Sequence, residues 1–295
     1  MKESLIKTCE FDWSEISPAI FGSIFQNAMD EQLRRELGSH FTSETNVKKV
    51  KNSLFMDELW EEYNKSKRNP KKLEQLNNKI GQIKIFDPAC GSGNFLIIAY
   101  RELRLLEYEI LKTLREEDQI PIEHYFEGSL TKIKLKNFYG IEILEFPSKI
   151  AQVAMWIVEH QMNQKYKRKF NIDHVDLPLK SSVNIYNTNA LQIDWKEILK
   201  PTDDVYILGN PPFTGKKFQT REQKEDVKKV FEGYKNIKEL DYVSCWYKKS
   251  ADYIEDTGIS VAFVSTNSIC QGEQCPLLWD ILLNDYNLSI NFAHT

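Results

Sequence analysis

Apolar positions in the first 80 residues recur with the spacing of helices. One series follows a period of about 3.6 residues and consists of Ile16, Ile20, Ile24, Ala28 and Leu33. This series predicts a helix with Pro18 near its start and Gly38 at its end. A second helix is predicted from Glu44 to Tyr63, and after the break at Asn69-Pro70 a short polar helix is predicted from Lys71 to Lys79.

Beyond Gly81, short apolar runs alternate with longer helical segments. The runs predicted as strands are 83–86, 138–141, 183–186, 205–208 and 259–264, with a last strand that begins near Leu288. The predicted helices are 94–114, 147–162 and 240–254, and the polar stretch 115–136 is interpreted as an insertion. This alternation predicts an α/β fold with a doubly wound, mostly parallel sheet. We therefore divide the chain into an N-terminal helical region, residues 1–80, and an α/β core, residues 81–295.

The composition excludes several function classes. The chain has 295 residues, 41% of them hydrophobic and 28% charged, as is usual for a globular protein. Its longest apolar runs, such as Ile259 to Val264, are too short to span a bilayer, and the N-terminus does not resemble a secretory signal, so we expect a cytoplasmic protein. The five cysteines form no CxxC pair and the five histidines no HxxxH or HExxH pattern, so neither a disulfide framework nor a metal site is expected.

A glycine-rich run, FDPACGSGNF at 86–95, follows the first predicted strand. Gly91 and Gly93 allow the backbone to turn sharply and to approach a ligand closely. A GxG pair alone occurs in many turns, and the third glycine of a dinucleotide fingerprint is absent because position 96 is Leu. The complete run resembles motif I of DNA amino-methyltransferases, whose loop surrounds the methionine moiety of S-adenosylmethionine. The cofactor-binding residues that this resemblance implies are Asp87, Pro88, Ala89, Cys90, Gly91, Gly93 and Asn94.

Two further strand ends carry candidate cofactor residues. Glu142, followed by Ile143, could accept both ribose hydroxyls through its two carboxylate oxygens. It stands 55 positions after Asp87, far beyond the roughly 20 of an NAD-type unit, and the insertion accounts for the difference. Asn189-Ala190 follows the third strand, where methyltransferases commonly place an acidic residue against the adenine amino group. Asn189 departs from that pattern, although its amide oxygen can also accept a hydrogen bond.

The run Asn210-Pro211-Pro212-Phe213 follows the fourth strand. The lone pair of an exocyclic amine on adenine is delocalised into the ring, so the amine is a poor nucleophile. Two acceptors aimed at its hydrogens, the Asn210 side-chain oxygen and the Pro211 carbonyl, would favour a more nucleophilic nitrogen. The two prolines make the array rigid, and Phe213 offers an aromatic face to a base taken out of the stack. The alternative is a structural turn after a buried strand.

The combined motifs resemble the gamma-type DNA N6-adenine methyltransferases, in which a further cofactor motif precedes the glycine loop. Residues 38–44 are similar to that motif, and the resemblance implies that Phe41 and Thr42 lie behind the methionine end of the cofactor, with Ser43 where many members have proline. Residues 11–22 and 34–38 resemble more narrowly the MmeI-like branch, which fuses a methyltransferase to a nuclease and a target recognition domain.

The resemblance implies a Rossmann-like, S-adenosylmethionine-dependent methyltransferase sheet that methylates a flipped adenine at specific sites, within a type II restriction-modification system. Double-stranded DNA is the implied partner, and neither a membrane nor a metal is implied for methyl transfer. No nuclease-type cluster precedes Phe11, and the sequence stops at Thr295 inside the last predicted strand. We therefore expect a chain truncated before the recognition domain.

The net charge of −4 is low for a protein that binds a duplex by itself. Two basic runs, 65–72 and 165–169, are interpreted as solvated faces, whereas Lys216, Lys217 and Arg221 could either contact phosphates or be solvated. The weak overall charge indicates that most DNA contacts lie on a part not present in this chain. Two alternatives stay open: methylation of protein glutamine or ribosomal RNA amines, which the same acceptors would serve, and a cofactor-binding fragment without turnover.

Overall fold

The computed structural model describes residues 44–118, 131–170 and 183–293. The helix predicted to end at Gly38 and the segment with Phe41 and Thr42 lie outside these residues. Helix α1 (Glu44–Lys51) continues through a π-helical turn (Asn52–Met56) into α2 (Asp57–Ser66). These elements confirm the helix predicted from Glu44 to Tyr63 and extend it by three residues.

Helix α3 (Pro70–Gln82) begins where Asn69-Pro70 interrupts the chain. The Asn69 side chain accepts a hydrogen bond from the Lys72 amide at 3.2 Å, and Pro70 occupies a first-turn position that needs no amide donor. The helix is longer than predicted and amphipathic. Its buried residues recur at helical spacing and are Leu73, Leu76, Asn77 and Ile80.

Five parallel strands form the sheet, in the order β3-β2-β1-β4-β5. The strands are β1 (Lys84–Asp87), β2 (Phe138–Glu142), β3 (Asn184–Asn187), β4 (Val205–Gly209) and β5 (Ser260–Phe263). The ends of each strand lie within one residue of the predicted ends, and β5 is shorter than predicted by one residue at each end. The α/β fold class with a doubly wound parallel sheet is confirmed.

Helices connect the strands on both faces of the sheet. They are α4 (Asn94–Asp118), α5 (Glu145–Phe170), α6 (Trp195–Ile198), α7 (Arg221–Val230), α8 (Ser244–Ile254) and α9 (Gln274–Asp280). Helix α5 continues well past Met162, because Tyr166 and Phe170 are buried. The run 165–169, interpreted as a solvated face, therefore has one buried side. Helices α6, α7 and α9 were not predicted from the sequence.

The strand predicted near Leu288 is wrong. The chain from Leu288 to Ala293 joins no ladder, and β5 is the edge of the sheet in the described part of the chain. A π-helical turn, Ile281–Asp285, precedes this segment, and the Leu288 amide donates to the Leu282 carbonyl at 3.1 Å. That bond ties Leu288 back to the preceding turn and away from β5.

Two hydrophobic cores lie on opposite faces of the sheet. Alternate residues of one strand enter different cores, so that Ile85 joins the first and Phe86 the second. The first core also contains Leu73, Leu76 and Ile80 of α3, whereas the second contains Val243 and Trp246 near α8. Helices that precede β1 therefore pack on the same core as the sheet, and all the strand ends are held between two layers. None of the helices in the described ranges is both long and apolar enough to cross a membrane.

Candidate functional site

The carboxyl ends of β1, β2 and β4 meet at one edge of the sheet. Asp87 is the last residue of β1, Glu142 the last of β2 and Gly209 the last of β4, immediately before Asn210. Strands β1 and β4 approach so closely here that a Cβ atom on Gly209 would lie 2.5 Å from Oδ1 of Asp87. The structure thus brings Asp87, the residue before the glycine loop, next to the start of the Asn-Pro-Pro-Phe run.

The glycine loop, residues 88–93, lies over the end of β2. Gly91 and Gly93 have positive φ angles of 55° and 85°, a conformation that L side chains rarely adopt. The Cys90 amide donates to the Ile141 carbonyl at 2.9 Å, and a Cβ atom on Gly140 would lie 2.7 Å from the Cys90 Sγ. The loop therefore needs glycine within itself and also in the strand beneath it, and Asn94 then begins α4.

Asp87 is 1% exposed at the base of this loop. Its Oδ1 accepts from the Ala89 amide at 3.0 Å, and its Oδ2 accepts no hydrogen bond from any residue in the described ranges. Burial raises the pKa of Asp87 to about 8; the Ala89 N–H opposes this shift and the charge of Glu142 adds to it. A buried carboxyl group with a spare acceptor atom is suited to a cationic ligand group such as an ammonium.

Glu142 ties the glycine loop to the end of β2. Its Oε2 accepts from the Gly91 amide at 3.0 Å and its Oε1 from the Leu144 amide at 2.8 Å. Burial raises the pKa of Glu142, while the N–H groups of Leu144 and Gly91 act in the opposite direction. The Ile143 N–H also acts on this carboxylate, so the backbone donors leave about one of its roughly four lone-pair positions to accept a ribose hydroxyl. The neighbouring Ile143 is 55% exposed and offers an apolar surface beside it.

Asn189 has a different set of contacts from the one expected. Its Oδ1 accepts from the Leu191 amide at 2.9 Å, and its Nδ2 donates to Oδ2 of Asp226 at 3.0 Å. The adjacent Ala190 is buried, and its carbonyl accepts from the Trp195 indole at 2.8 Å. The loop after β3 is therefore fixed by side chains, and a carboxylate from α7 stands next to the position where the sequence has an amide.

The Asn-Pro-Pro-Phe run leaves the sheet between two backbone anchors. The Val264 amide donates to the Gly209 carbonyl at 2.9 Å, and the Tyr242 amide donates to the Thr214 carbonyl at 3.0 Å. Between these anchors, Pro211 is buried, whereas Asn210 and Pro212 are half-buried. Phe213 is also half-buried and packs against the second core. The run is thus held at both ends, with Pro212 and Phe213 half-exposed at the edge of the sheet and the Asn210 side-chain oxygen buried.

The basic residues after this run fall into two groups. The Lys216 ammonium forms ion pairs with Glu239 and, at 2.8 Å, with Glu273. Lys217 and Arg221 are exposed, and between them Phe218 is 82% exposed. Lys216 therefore takes part in a partly exposed ion-pair cluster, and Lys217 and Arg221 are the fully exposed members of the group.

Three contributing residues were missed in the sequence. They are Asp226 and Tyr242, whose hydroxyl donates to Asp226 at 2.8 Å, and Trp246, whose indole donates to the Pro88 carbonyl at 3.0 Å. A buried Asp in an otherwise polar helix and two aromatic residues carry no local signal of a site. In the described part of the chain, no group of three His, Cys, Asp or Glu residues could hold a metal ion.

Comparison with known proteins identifies sequences and structures that are similar to this chain. The family model described as "MmeI, DNA-methyltransferase domain" matches residues 63–295. DNA methyltransferase A of Bacillus subtilis (strain 168) is 43% identical over 286 residues, which are 96% of this chain and 32% of that protein. The solved structure of the type IIL restriction-modification enzyme MmeI in complex with DNA is 51% identical, with a TM-score of 0.87, over 95% of this chain and 37% of that one. The chain spans about a third of the length of these relatives.

Proposed function

This chain belongs to the MmeI DNA-methyltransferase domain family, and from that premise we propose that it transfers a methyl group from S-adenosylmethionine to the N6 amine of adenine. The adenine is one flipped out of double-stranded DNA, at sites specific to a restriction-modification system. The observation that carries the proposal is the contact between the strand end that would bind the cofactor and the run that would bind the target amine. Asp87, with its spare buried acceptor, lies directly against the residue that precedes Asn210.

The cofactor half of the proposal rests on the strand ends of β1, β2 and β3. Asp87 would accept from the ammonium group, the loop of Pro88, Ala89, Cys90, Gly91, Gly93 and Asn94 would surround the methionine moiety, and Glu142 would accept from the ribose. Ile143 and the loop of Asn189-Ala190 would flank the adenine, while Phe41 and Thr42 would lie behind the methionine end. When bound, S-adenosylmethionine supplies a methyl group on a sulfonium sulfur that is already activated for transfer.

The target half rests on the rigid run after β4. The Asn210 side-chain oxygen and the Pro211 carbonyl accept from the two amine hydrogens of the target base and favour a nucleophilic nitrogen. Pro212 keeps the run rigid, and Phe213, braced by the second core, stacks on the base. Because hydrogen bonds anchor both the glycine loop and the Asn-Pro-Pro-Phe run, we expect little ordering of these two segments during the reaction.

DNA is the partner in this proposal, and Lys217 and Arg221 are the exposed cations that would contact its phosphates beside the site. The relatives are about three times as long as this chain, so most of the DNA contacts are assigned to segments that correspond to the rest of those proteins. The division at residue 80, with a cofactor-contacting loop at 38–44, is part of the same proposal.

Radiolabelled S-adenosylmethionine tests the proposal directly. The protein is incubated with duplex DNA, with ribosomal RNA and with a protein mixture, and label is expected in DNA as N6-methyladenine. Asn210→Ala should abolish this transfer and change the cofactor Kd by less than about tenfold, since one hydrogen bond is lost. The matched control is Asn284→Ala, an exposed asparagine outside the site.

Each alternative function gives a different outcome in this experiment. Label in protein or RNA alone would contradict the DNA assignment. Cofactor binding by calorimetry without transfer to any substrate would contradict turnover by this chain. Loss of cofactor binding by orders of magnitude in Asn210→Ala would contradict the role of Asn210 as an acceptor for the target amine.

A further inference from the structure

Asp226 is a buried carboxylate that takes no part in the proposed methyl transfer. It lies in α7, is 4% exposed, and accepts three side-chain hydrogen bonds. Asn189 and Tyr242 donate to its Oδ2 at 3.0 and 2.8 Å, and Gln192 donates to its Oδ1 at 2.9 Å. Two of the three donors belong to the loop after β3, so α7 holds that loop through a single carboxylate.

The geometry at Asn189 explains why that loop needs an external carboxylate. The Asn189 oxygen is already used by the Leu191 amide, which leaves the Nδ2 group pointing away as a donor. Asn189 is half-buried, and its amide donor favours a nearby acceptor because a buried donor left without a hydrogen bond costs about 1–3 kcal/mol. Asp226 supplies the acceptor and also orients Gln192, so that the turn of residues 189–192 has one defined conformation.

Tyr242 extends the cluster to the other half of the site. Its hydroxyl donates to Asp226, and its backbone amide donates to the carbonyl of Thr214, the residue after Phe213. Tyr242 therefore connects the two loops, through its hydroxyl to the cluster that holds the loop after β3 and through its backbone amide to the loop that carries the amine acceptors. Burial, together with the charge of Asp226, raises the pKa of Tyr242, so its hydroxyl stays protonated as a donor.

We propose that Asp226 is a positioning residue that holds the loop after β3 in its cofactor-binding conformation and, through Tyr242, joins this loop to the target-amine loop. This inference rests on the proposed function. It assigns to α7 the carboxylate that stands beside the cofactor adenine, at the strand end where the sequence has Asn189.

An exchange of the two side chains tests the proposal. Asp226→Asn puts an amide opposite the Asn189 amide, and Asn189→Asp puts two carboxylates about 3 Å apart, the present Nδ2–Oδ2 distance. Each single variant should raise the cofactor Kd about tenfold or more, as expected for loss of a charge-assisted hydrogen bond. In the double variant the new amide on α7 can donate one hydrogen to the new carboxylate after β3, whose other oxygen still accepts from the Leu191 amide. The second hydrogen of this new amide can go to the Tyr242 hydroxyl, which then accepts instead of donating. We expect the Kd of the double variant to return to within about threefold of the wild type.

The readouts separate positioning from simple destabilisation. Calorimetry gives the S-adenosylmethionine Kd, urea unfolding gives the stability of each variant without ligand, and Asp280→Asn is the exposed control. The single variants should raise KM for the cofactor and keep most of kcat at saturation. If one single variant does not fold, recovery of binding in the double variant still tests the pairing.

Two results would overturn the role of Asp226. One is a normal cofactor Kd in folded Asp226→Asn, and the other is a double variant that binds no better than the single variants. In both cases the proposed function still holds if the wild-type protein binds cofactor and methylates DNA. A wild-type protein that does not bind S-adenosylmethionine would contradict the proposed function and this role together.

Discussion

Asp87 combines burial, a spare acceptor atom and a raised pKa. The pKa of its carboxyl group moves from the ordinary 3.8 to about 8 because the group is buried. A carboxyl group with a raised pKa stabilises the fold fully below pH 3.8, and this contribution is lost as the pH rises towards 8, because ionisation is more costly in the folded state. Near neutral pH the unliganded folded protein therefore keeps a proton on Asp87 that the unfolded chain has released.

Asp87→Asn should remove this pH dependence. Between about pH 4 and pH 8 the wild type should lose stability relative to the variant, by on the order of a few kcal/mol. Urea unfolding across that range measures the difference, with the exposed Asp203→Asn as a control that should track the wild type. The variant should also lose cofactor binding, and parallel pH profiles would contradict the ionisation behaviour assigned to Asp87.

Gly209 is the second residue whose identity the site requires. A Cβ atom there would lie 2.5 Å from Oδ1 of the buried Asp87, which has no space to retreat. Gly209→Ala should destabilise the protein by roughly 1–3 kcal/mol and should weaken cofactor binding more than Asn210→Ala does. In Gly258→Ala the new Cβ atom meets only Asp203 Oδ1, at 3.6 Å, so this variant should behave as the wild type. Equal cofactor affinity of the two variants would refute the steric argument.

At the scale of elements, α8 and the residues leading into it brace both halves of the site. Trp246 donates to the Pro88 carbonyl in the glycine loop, and the Tyr242 amide holds the loop after Phe213. The two anchors are only four positions apart, so a displacement of this segment would move both loops.

Trp246→Phe removes the 3.0 Å bond to Pro88 and keeps an aromatic ring in the second core. We expect a stability loss of about 1 kcal/mol and a several-fold weaker cofactor affinity, because the glycine loop loses an anchor. Trp279→Phe is the matched control, since its indole donates to the Ile269 carbonyl at 2.7 Å outside the site. Both variants should lose similar stability, whereas only Trp246→Phe should change the Kd measured by calorimetry.

The sequence predicted the strands well because each is a local signal. A β-rich apolar run ends in Asp87, Glu142 or Gly209, and the parallel order of strands then gathers these residues at one edge. The sequence did not predict α7, because only Asp226 and Val227 of this helix are buried. The sequence also predicted a strand at Leu288, where the structure instead has an irregular segment after a π-helical turn. Asp226 and Trp246 could not be identified because their partners are distant; Trp246 and Pro88 are 158 positions apart.

At the scale of the whole molecule, the helices before β1 belong to the first core. Leu73, Leu76 and Ile80 are at most 1% exposed and pack with Ile85 and Phe138 of the sheet. Helix α3 packs mainly against α4, which together with α5 belongs to the same core, so removing the N-terminal helices would expose a large apolar surface of that core. The boundary drawn at residue 80 is therefore expected to separate functions rather than independently stable units.

A chain that begins at residue 81 tests this expectation. It should lack cooperative urea unfolding and should lose the near-ultraviolet circular dichroism of its buried aromatic residues, because part of the first core is uncovered. The complete chain is the control. Cooperative unfolding of the shortened chain would show that residues 81–295 fold without the preceding helices.

The buried thiol of Cys90 can report how often the glycine loop opens. Its sulfur lies under the glycine loop against Gly140, and burial raises the pKa of the thiol well above its usual value, whereas Cys270 is exposed. A thiol reagent should modify Cys270 at once and Cys90 only in the moments when the loop lifts from β2. The rate of Cys90 modification thus measures the frequency of loop opening. A ligand bound against the loop should lower this rate.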